Sequence, residues 1–308
     1  MRNLLLAFFL ISTLCTQAQN WTAGKIYSDP ENWTEFRVGN IPLIITVPHG
    51  GSIALDSIPD RSCPDAVTVR DNNTKELALE IETEFMKQYG VRPFIIICNL
   101  LRKKVDQNRE IEMGTCGNSI MRKPWNAFHD YTDTAIALAT KQFGGCLYID
   151  LHGHGHPVQR LELGYLLKES EMQEFKTDNS VESSAKKSSL QNLIKNSNGK
   201  LDFKMLMIGT NAFGTMMANE GIPSVPSQQD IAPNADEKYF NGGYNTSRYT
   251  SSKYPNCFGW QIETNYKGVR DGKGIPVFAR AFVKVIPEFL KQNTSISIPT
   301  NNQKAGAN

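Results

Sequence analysis

The chain has only five histidines, and four of them stand in two short loops. His49 lies in Val47-Pro48-His49-Gly50-Gly51. His152, His154 and His156 lie in Asp150-Leu151-His152-Gly153-His154-Gly155-His156-Pro157. Neutral imidazole is the commonest protein ligand for transition metals, and an adjacent glycine lets backbone approach closely. A lone histidine in such a loop is more often a hydrogen-bonded structural group. Two such loops, each directly after an apolar run, shift the reading toward a metal ion held between them by His49 and His152. Side chains at alternate positions of an extended segment share a face, so Asp150, His154 and His156 are also able to converge there. The fifth histidine, His129, reads as a packing residue.

Catalytic zinc keeps three protein ligands and one open position. Asp71 is the candidate for the third; Asp65 and His154 are the alternatives. Asp71 also stands where the N-cap of a helix would, and the two roles compete for its oxygens. Glu263, near the end of the run Gln261-Ile262-Glu263, suits a general base, or else an ion pair with Lys267 or Arg270. The patch 102–109 (RKKVDQNR) reads on spacing alone as a solvated loop. Its functional reading is anion recognition: Arg102 or Arg109 steadies a developing oxyanion or anchors a carboxylate, Asp106 orients one of them, and His154 is a candidate substrate-binding group.

These groups need elements to carry them. Residues 41–47 (IPLIITV), 93–98 (PFIIIC), 146–151 (CLYIDL) and 258–264 (FGWQIET) read as buried strands. Residues 74–89 place Leu77, Ile81 and Phe85 at helical spacing, and 125–143 and 277–290 read as two more helices. Residues 203–208 (FKMLMI) read as a further strand. Residues 169–199, rich in Ser, Lys, Asn and Glu, read as an exposed insertion. Strands alternating with helices predict an α/β fold with a mixed, mostly parallel sheet covered on both faces. Such sheets bind ligands beyond the carboxyl ends of their strands, where both histidine loops stand.

Residues 1–18 have the form of a signal peptide, with Arg2, the mostly apolar run 4–14 and Thr16-Gln17-Ala18. No later run reaches the roughly 20 apolar residues of a membrane span. The expectation is a secreted or periplasmic chain without stable membrane insertion, with one domain over 19–292 and a disordered tail over 293–308. A net charge of +2, with no basic stripe, argues against a nucleic-acid partner. Five cysteines remain after Cys15, without C-x-x-C spacing, so at most two disulfides form within the chain. Cys98 and Cys146 fall in expected strands and read as buried thiols.

Taken in order, Val47-Pro48-His49-Gly50-Gly51, Asp71, Arg102-Lys103-Lys104-Val105-Asp106-Gln107-Asn108-Arg109 and Ile149-Asp150-Leu151-His152-Gly153 resemble the motifs of N-formylglutamate amidohydrolases. Ile208-Gly209-Thr210, Asn241-Gly242-Gly243-Tyr244 and Gln261-Ile262-Glu263 extend the resemblance over residues 41–270. The resemblance implies a three-layer phosphorylase/hydrolase-like sandwich, akin to zinc carboxypeptidases, with one Zn2+ ion. It implies a zinc-dependent hydrolase of carbon–nitrogen bonds: His49 and His152 as ligands, Asn108-Arg109 on the substrate, Glu263 as base. Ser52 departs from the pattern, standing where a His-x-x-Glu acid would be, and Asp71 has to replace that acid. Export and the stretch 169–199 point away from N-formylglutamate itself, toward an N-acyl amino acid, a γ-glutamyl compound or a peptide bearing a carboxylate. The alternative is a secreted, non-catalytic binding protein on the same scaffold.

Overall fold

The computed structural model describes residues 19–177 and 181–298, so the expected signal peptide lies outside the described residues. Eight strands form one sheet: β1 (Ile26–Ser28), β2 (Thr34–Arg37), β3 (Leu43–Val47), β4 (Phe94–Cys98), β5 (Cys146–His154), β6 (Leu161–Gly164), β7 (Ser224–Val225) and β8 (Cys257–Asn265). Their spatial order is β1-β2-β4-β3-β5-β8-β6-β7. The central four, β4, β3, β5 and β8, are parallel, as runs buried on both faces require. Antiparallel pairing enters at β1–β2, β2–β4 and β6–β8. Helices cover both faces, giving the expected three-layer α/β arrangement with a mixed, mostly parallel sheet.

From β3 the chain passes to one side to build β4, then returns to the other side for β5. This reversal creates the crevice at which open α/β sheets bind ligands. His49 follows β3 by two residues and His152 lies in β5. Strand alternation assigns the faces. Ile45, Val47, Ile149, Leu151, Trp260 and Ile262 pack with the helices Thr74–Tyr89 and Gly274–Asn293. Ile44, Ile96, Tyr148 and Cys257 pack with the helix Arg122–Phe143. Following this second face toward the carboxyl ends, the register brings Thr46 beside Asp150, Asp150 beside Gln261, and His152 beside Glu263. The same face is thus apolar at one end and polar at the other.

Three expectations change. Residues 203–208 form the helix Phe203–Ile208, with the Asp202 carboxylate accepting the Met205 N–H at 3.0 Å and Phe203, Leu206 and Met207 buried. A short, continuous apolar run carries no period that separates a strand from a buried helix. The stretch 169–199 is not an exposed insertion. Met172, Phe175, Leu190 and Leu193 belong to the core, and the Asn192 amide donates to the carbonyls of Thr250 and Cys257 at 3.0 and 2.9 Å. Its polar composition belongs to the outer sides of short helices. The tail is ordered at its start: Asn293 ends a helix, Ile296 packs on the core and Ile298 is buried, while 299–308 lie outside the described residues.

Cys98, Cys146 and Cys257 are buried free thiols, and Cys63–Cys116 is a disulfide spanning 53 residues. It ties the loop after β3 to the segment after β4. Closing so long a loop restricts the unfolded chain, so Cys63→Ala/Cys116→Ala is expected to lower stability by about 2–4 kcal/mol. Denaturant unfolding checks this, and reductant should reproduce the loss in the wild type.

His129 packs as expected, its Nδ1 2.6 Å from the Tyr249 hydroxyl and its ring against Trp125. Burial, then the charge of Arg248, hold its pKa well below the usual 6.5. Below that pH the unfolded chain takes up a proton that the folded chain refuses. This contribution to stability is therefore present above 6.5 and lost as the pH falls below it. Unfolding free energies measured from about pH 7 down to about pH 5 should decline less in His129→Gln than in the wild type.

Candidate metal centre

His49 is buried, with Nε2 2.7 Å from Asp106 Oδ1 and Nδ1 3.4 Å from Asp71 Oδ2. His152 repeats the arrangement from β5. Its Nε2 is 2.9 Å from Asp150 Oδ2, and its Nδ1 is 3.2 Å from the same Asp71 oxygen. The two ring centroids are 4.8 Å apart. Three donor atoms therefore face one point, all within 4.8 Å of one another.

Asp71 reaches that point because its N–H donates to the His49 carbonyl at 3.1 Å, closing the loop 50–70. It does not cap the following helix, the competing role its position suggested. That helix starts after Asn73, and the Asp71 carboxylate instead accepts the Gly153 N–H at 3.2 Å. A Cβ at Gly153 would lie 2.3 Å from the Arg270 guanidinium carbon, so a larger residue there would displace that side chain. Arg270 crosses at this place to bond the carbonyls of Thr264 and His154 at 2.9 and 2.8 Å.

The segment 102–109 is not a solvated loop. Val105 is in the core, and Asp106 and Gln107 are fully buried. Asp106 Oδ1 accepts the Asn108 N–H at 2.9 Å as well as facing His49, while Oδ2 takes Arg102 Nε at 3.0 Å. Arg61 stands 3.7 Å from Oδ2. Thr46 donates to Asp150 Oδ1 at 2.7 Å. Both carboxylates behind the histidines are thus held in place.

The charges are set by these contacts. Burial opposes ionisation of Asp71, but His152 and His49 outweigh it and hold the carboxyl well below its usual range. Asp106 is lowered against the same penalty by His49, Arg102 and Arg61. Burial would depress His152, yet Asp150 and Asp71 raise it well above the usual 6.5. Glu263 is the exception. Burial pushes it up to about 8; His152 pulls against this, Asp71 and Glu162 add to it, and Arg102 opposes. Its Oε1 accepts from the Gln261 amide at 2.9 Å, and its buried Oε2 has no hydrogen-bond partner among the described residues.

The donors fit a zinc-class ion. Two imidazoles and a carboxylate form a standard set. A carboxylate on each Nε2 places the ring proton there and turns the Nδ1 lone pair toward the shared point. The buried His49 Nδ1 has no hydrogen-bond partner among the described residues, a cost that an ion would remove.

Not every expected residue joins. Asp65 is exposed. His154 is buried with both nitrogens engaged: Nε2 2.9 Å from the Arg160 carbonyl, Nδ1 accepting the His156 N–H at 3.1 Å. Arg109 folds back onto the Asn108 carbonyl at 2.9 Å. Asn108 lies behind the centre, where its Oδ1 accepts the Asn245 N–H at 2.9 Å. The chain passes so close that a Cβ on Gly243 would lie 2.4 Å from the Asn108 amide. Ser52 is exposed, and its N–H donates to the Asn99 carbonyl at 2.9 Å. Sequence reasoning missed Arg61 and Glu162. Glu162, fully buried on β6, was signalled only by its place between Leu161 and Leu163.

Because Asp106 fixes His49 without touching the shared point, Asp106→Asn is expected to weaken zinc binding about 10–100-fold. Asp65→Asn should leave it unchanged. Competition with a chromophoric chelator measures both.

No protein-family model matches the chain, and no curated protein matches it. Among solved structures, the chain is similar to an N-formylglutamate amidohydrolase from Ralstonia eutropha JMP134, with a TM-score of 0.48 and 11% identity over 84% of this chain and 96% of that one. It is also similar to a gene product of Agrobacterium tumefaciens, with a TM-score of 0.46 and 11% identity over 82% and 90% of the respective chains.

Proposed function

We propose that the chain is an exported, metal-dependent amidohydrolase. The observation that carries this reading is the convergence of His49 Nδ1, His152 Nδ1 and Asp71 Oδ2 on one buried point, each imidazole backed by a carboxylate. Zinc held there would supply Lewis acidity, polarising a carbonyl oxygen and making water a better nucleophile.

The chain's own groups do the remaining work. Asp106 and Asp150 keep the imidazoles oriented. Arg102 spends its Nε on Asp106, and its terminal nitrogens, without a hydrogen bond among the described residues, serve the substrate's carbonyl oxygen or carboxylate. Glu263, beside His152 in the register, takes a proton from the attacking water and returns it to the leaving nitrogen as the C–N bond breaks. The substrate class is a small N-acyl amino acid, a γ-glutamyl compound or a peptide with a free carboxylate. A purely binding role is disfavoured, because Glu263, beside His152 in the register, is held by burial in the perturbed state typical of proton-transferring groups.

Purified wild type is expected to contain stoichiometric zinc that His49→Ala and His152→Ala lose. It should hydrolyse members of a panel of N-acyl and γ-glutamyl amino acids. Glu263→Gln should keep the metal and lose about 10²–10⁴ in turnover. Full turnover in Glu263→Gln would refute the base. A wild type without metal, matched in stability by both histidine variants, would refute the centre.

A further inference from the structure

A second group of donors lies on the same polar face, where β6 runs beside β8. Glu162 pairs in register with Glu263 and is fully buried. Its Oε2 accepts the Phe240 N–H at 2.8 Å. Its Oε1 is 2.7 Å from His156 Nδ1 and 3.9 Å from His154 Nδ1. The ligand atoms of these three residues lie within 4.8 Å of one another. Arg160, nearby in sequence, is committed elsewhere, to Asp230 at 2.7 Å and Glu237 at 2.6 Å. A buried carboxylate beside a second buried carboxylate requires positive charge close by.

The surrounding bonds prepare the imidazoles for such a charge. The backbone carbonyl of Arg160 receives the proton of His154 Nε2, which leaves Nδ1 unprotonated; its lone pair accepts the His156 N–H at 3.1 Å and lies 3.9 Å from Glu162 Oε1. A carbonyl on the far nitrogen is how metal-bound histidines are commonly oriented. His156 stacks on Phe240 with centroids 4.6 Å apart, and its side chain is 14% exposed, which provides a path of entry. The His156 N–H that meets His154 Nδ1 belongs to the peptide after Gly155, and nothing lies within 4 Å of a Cβ built at that glycine. An ion bound there would take the lone pair in place of that N–H.

We propose that His154, His156 and Glu162 form a second divalent-cation site, separate from His49, Asp71 and His152, with the two-nitrogen, one-oxygen donor set of zinc-class ions. The ion offsets the charge of Glu162 and pins the loop 153–158 over the strand ends.

The test uses the mature chain stripped with a chelator and titrated with Zn2+, followed by calorimetry and native mass spectrometry. The wild type should take up two ions. Glu162→Gln and His156→Ala should each take up one, as should His49→Ala, which loses the other site. His156 is near the surface, so its variant is expected to fold; circular dichroism of the stripped proteins verifies this. Wild-type uptake in both Glu162→Gln and His156→Ala would overturn the proposal and leave Glu162 balanced by the His156 imidazolium alone. Loss of one ion in those variants but not in His49→Ala would support the second site while removing the first.

Discussion

Two imidazoles, each gripped from behind by a buried carboxylate, are the interaction on which the rest of this structure depends. Asp106 and Asp150 are fully buried, and Asp71 nearly so. Charges in such a place are tolerated only in company. Breaking one partner of a buried pair costs on the order of 3–5 kcal/mol, against about 0–1 kcal/mol for a surface pair. That difference explains why so much of the chain is recruited around the site. Arg102 and Arg61 balance Asp106, Thr46 anchors Asp150, Gly153 N–H meets Asp71, and Arg270 laces the ends of β5 and β8 together.

The parallel centre of the sheet supplies the place for this network. At the crevice between β3 and β5, the two strands leave the sheet toward the same end. The core beneath it is aliphatic and aromatic on the same face that turns polar one step further along each strand. Thr46, Asp150 and Gln261 form one row across β3, β5 and β8, and His152 and Glu263 the next. A one-residue slip of β5 against β8 would send His152 into the apolar core on the other face. The hydrophobic packing that sets the register therefore also sets the chemistry.

Much of this was legible in the chain. The four central strands, the long helices and the placing of two histidine loops at strand ends follow from composition and period. His49 and His152 converge as expected, and Asp71 joins them where Ser52 departs from the pattern of the family the motifs resemble. Other features were not legible. Phe203–Ile208 is a helix because its neighbours accept one buried stripe, and an apolar run six residues long has no period of its own. Met172, Phe175, Leu190 and Leu193 are too thinly spread in a polar stretch to announce the core they enter. Asn108 and His154, read as substrate ligands, turn inward to bond backbone groups.

By itself, then, the sequence determined which residue types stand at strand ends, and so which chemistry is available there. The pattern behind this is local: alternation along a strand, glycine beside histidine, periodicity in a helix. Tertiary structure alone decided that Asp106 lies behind His49 and that Asp71 faces both imidazoles. Asp106 is 57 residues from His49, and Asp71 is 81 from His152. It also decided that Glu162, in a strand of four residues, comes to rest beside Glu263. These pairings arise where the chain crosses itself, and neither spacing nor periodicity records which crossings occur.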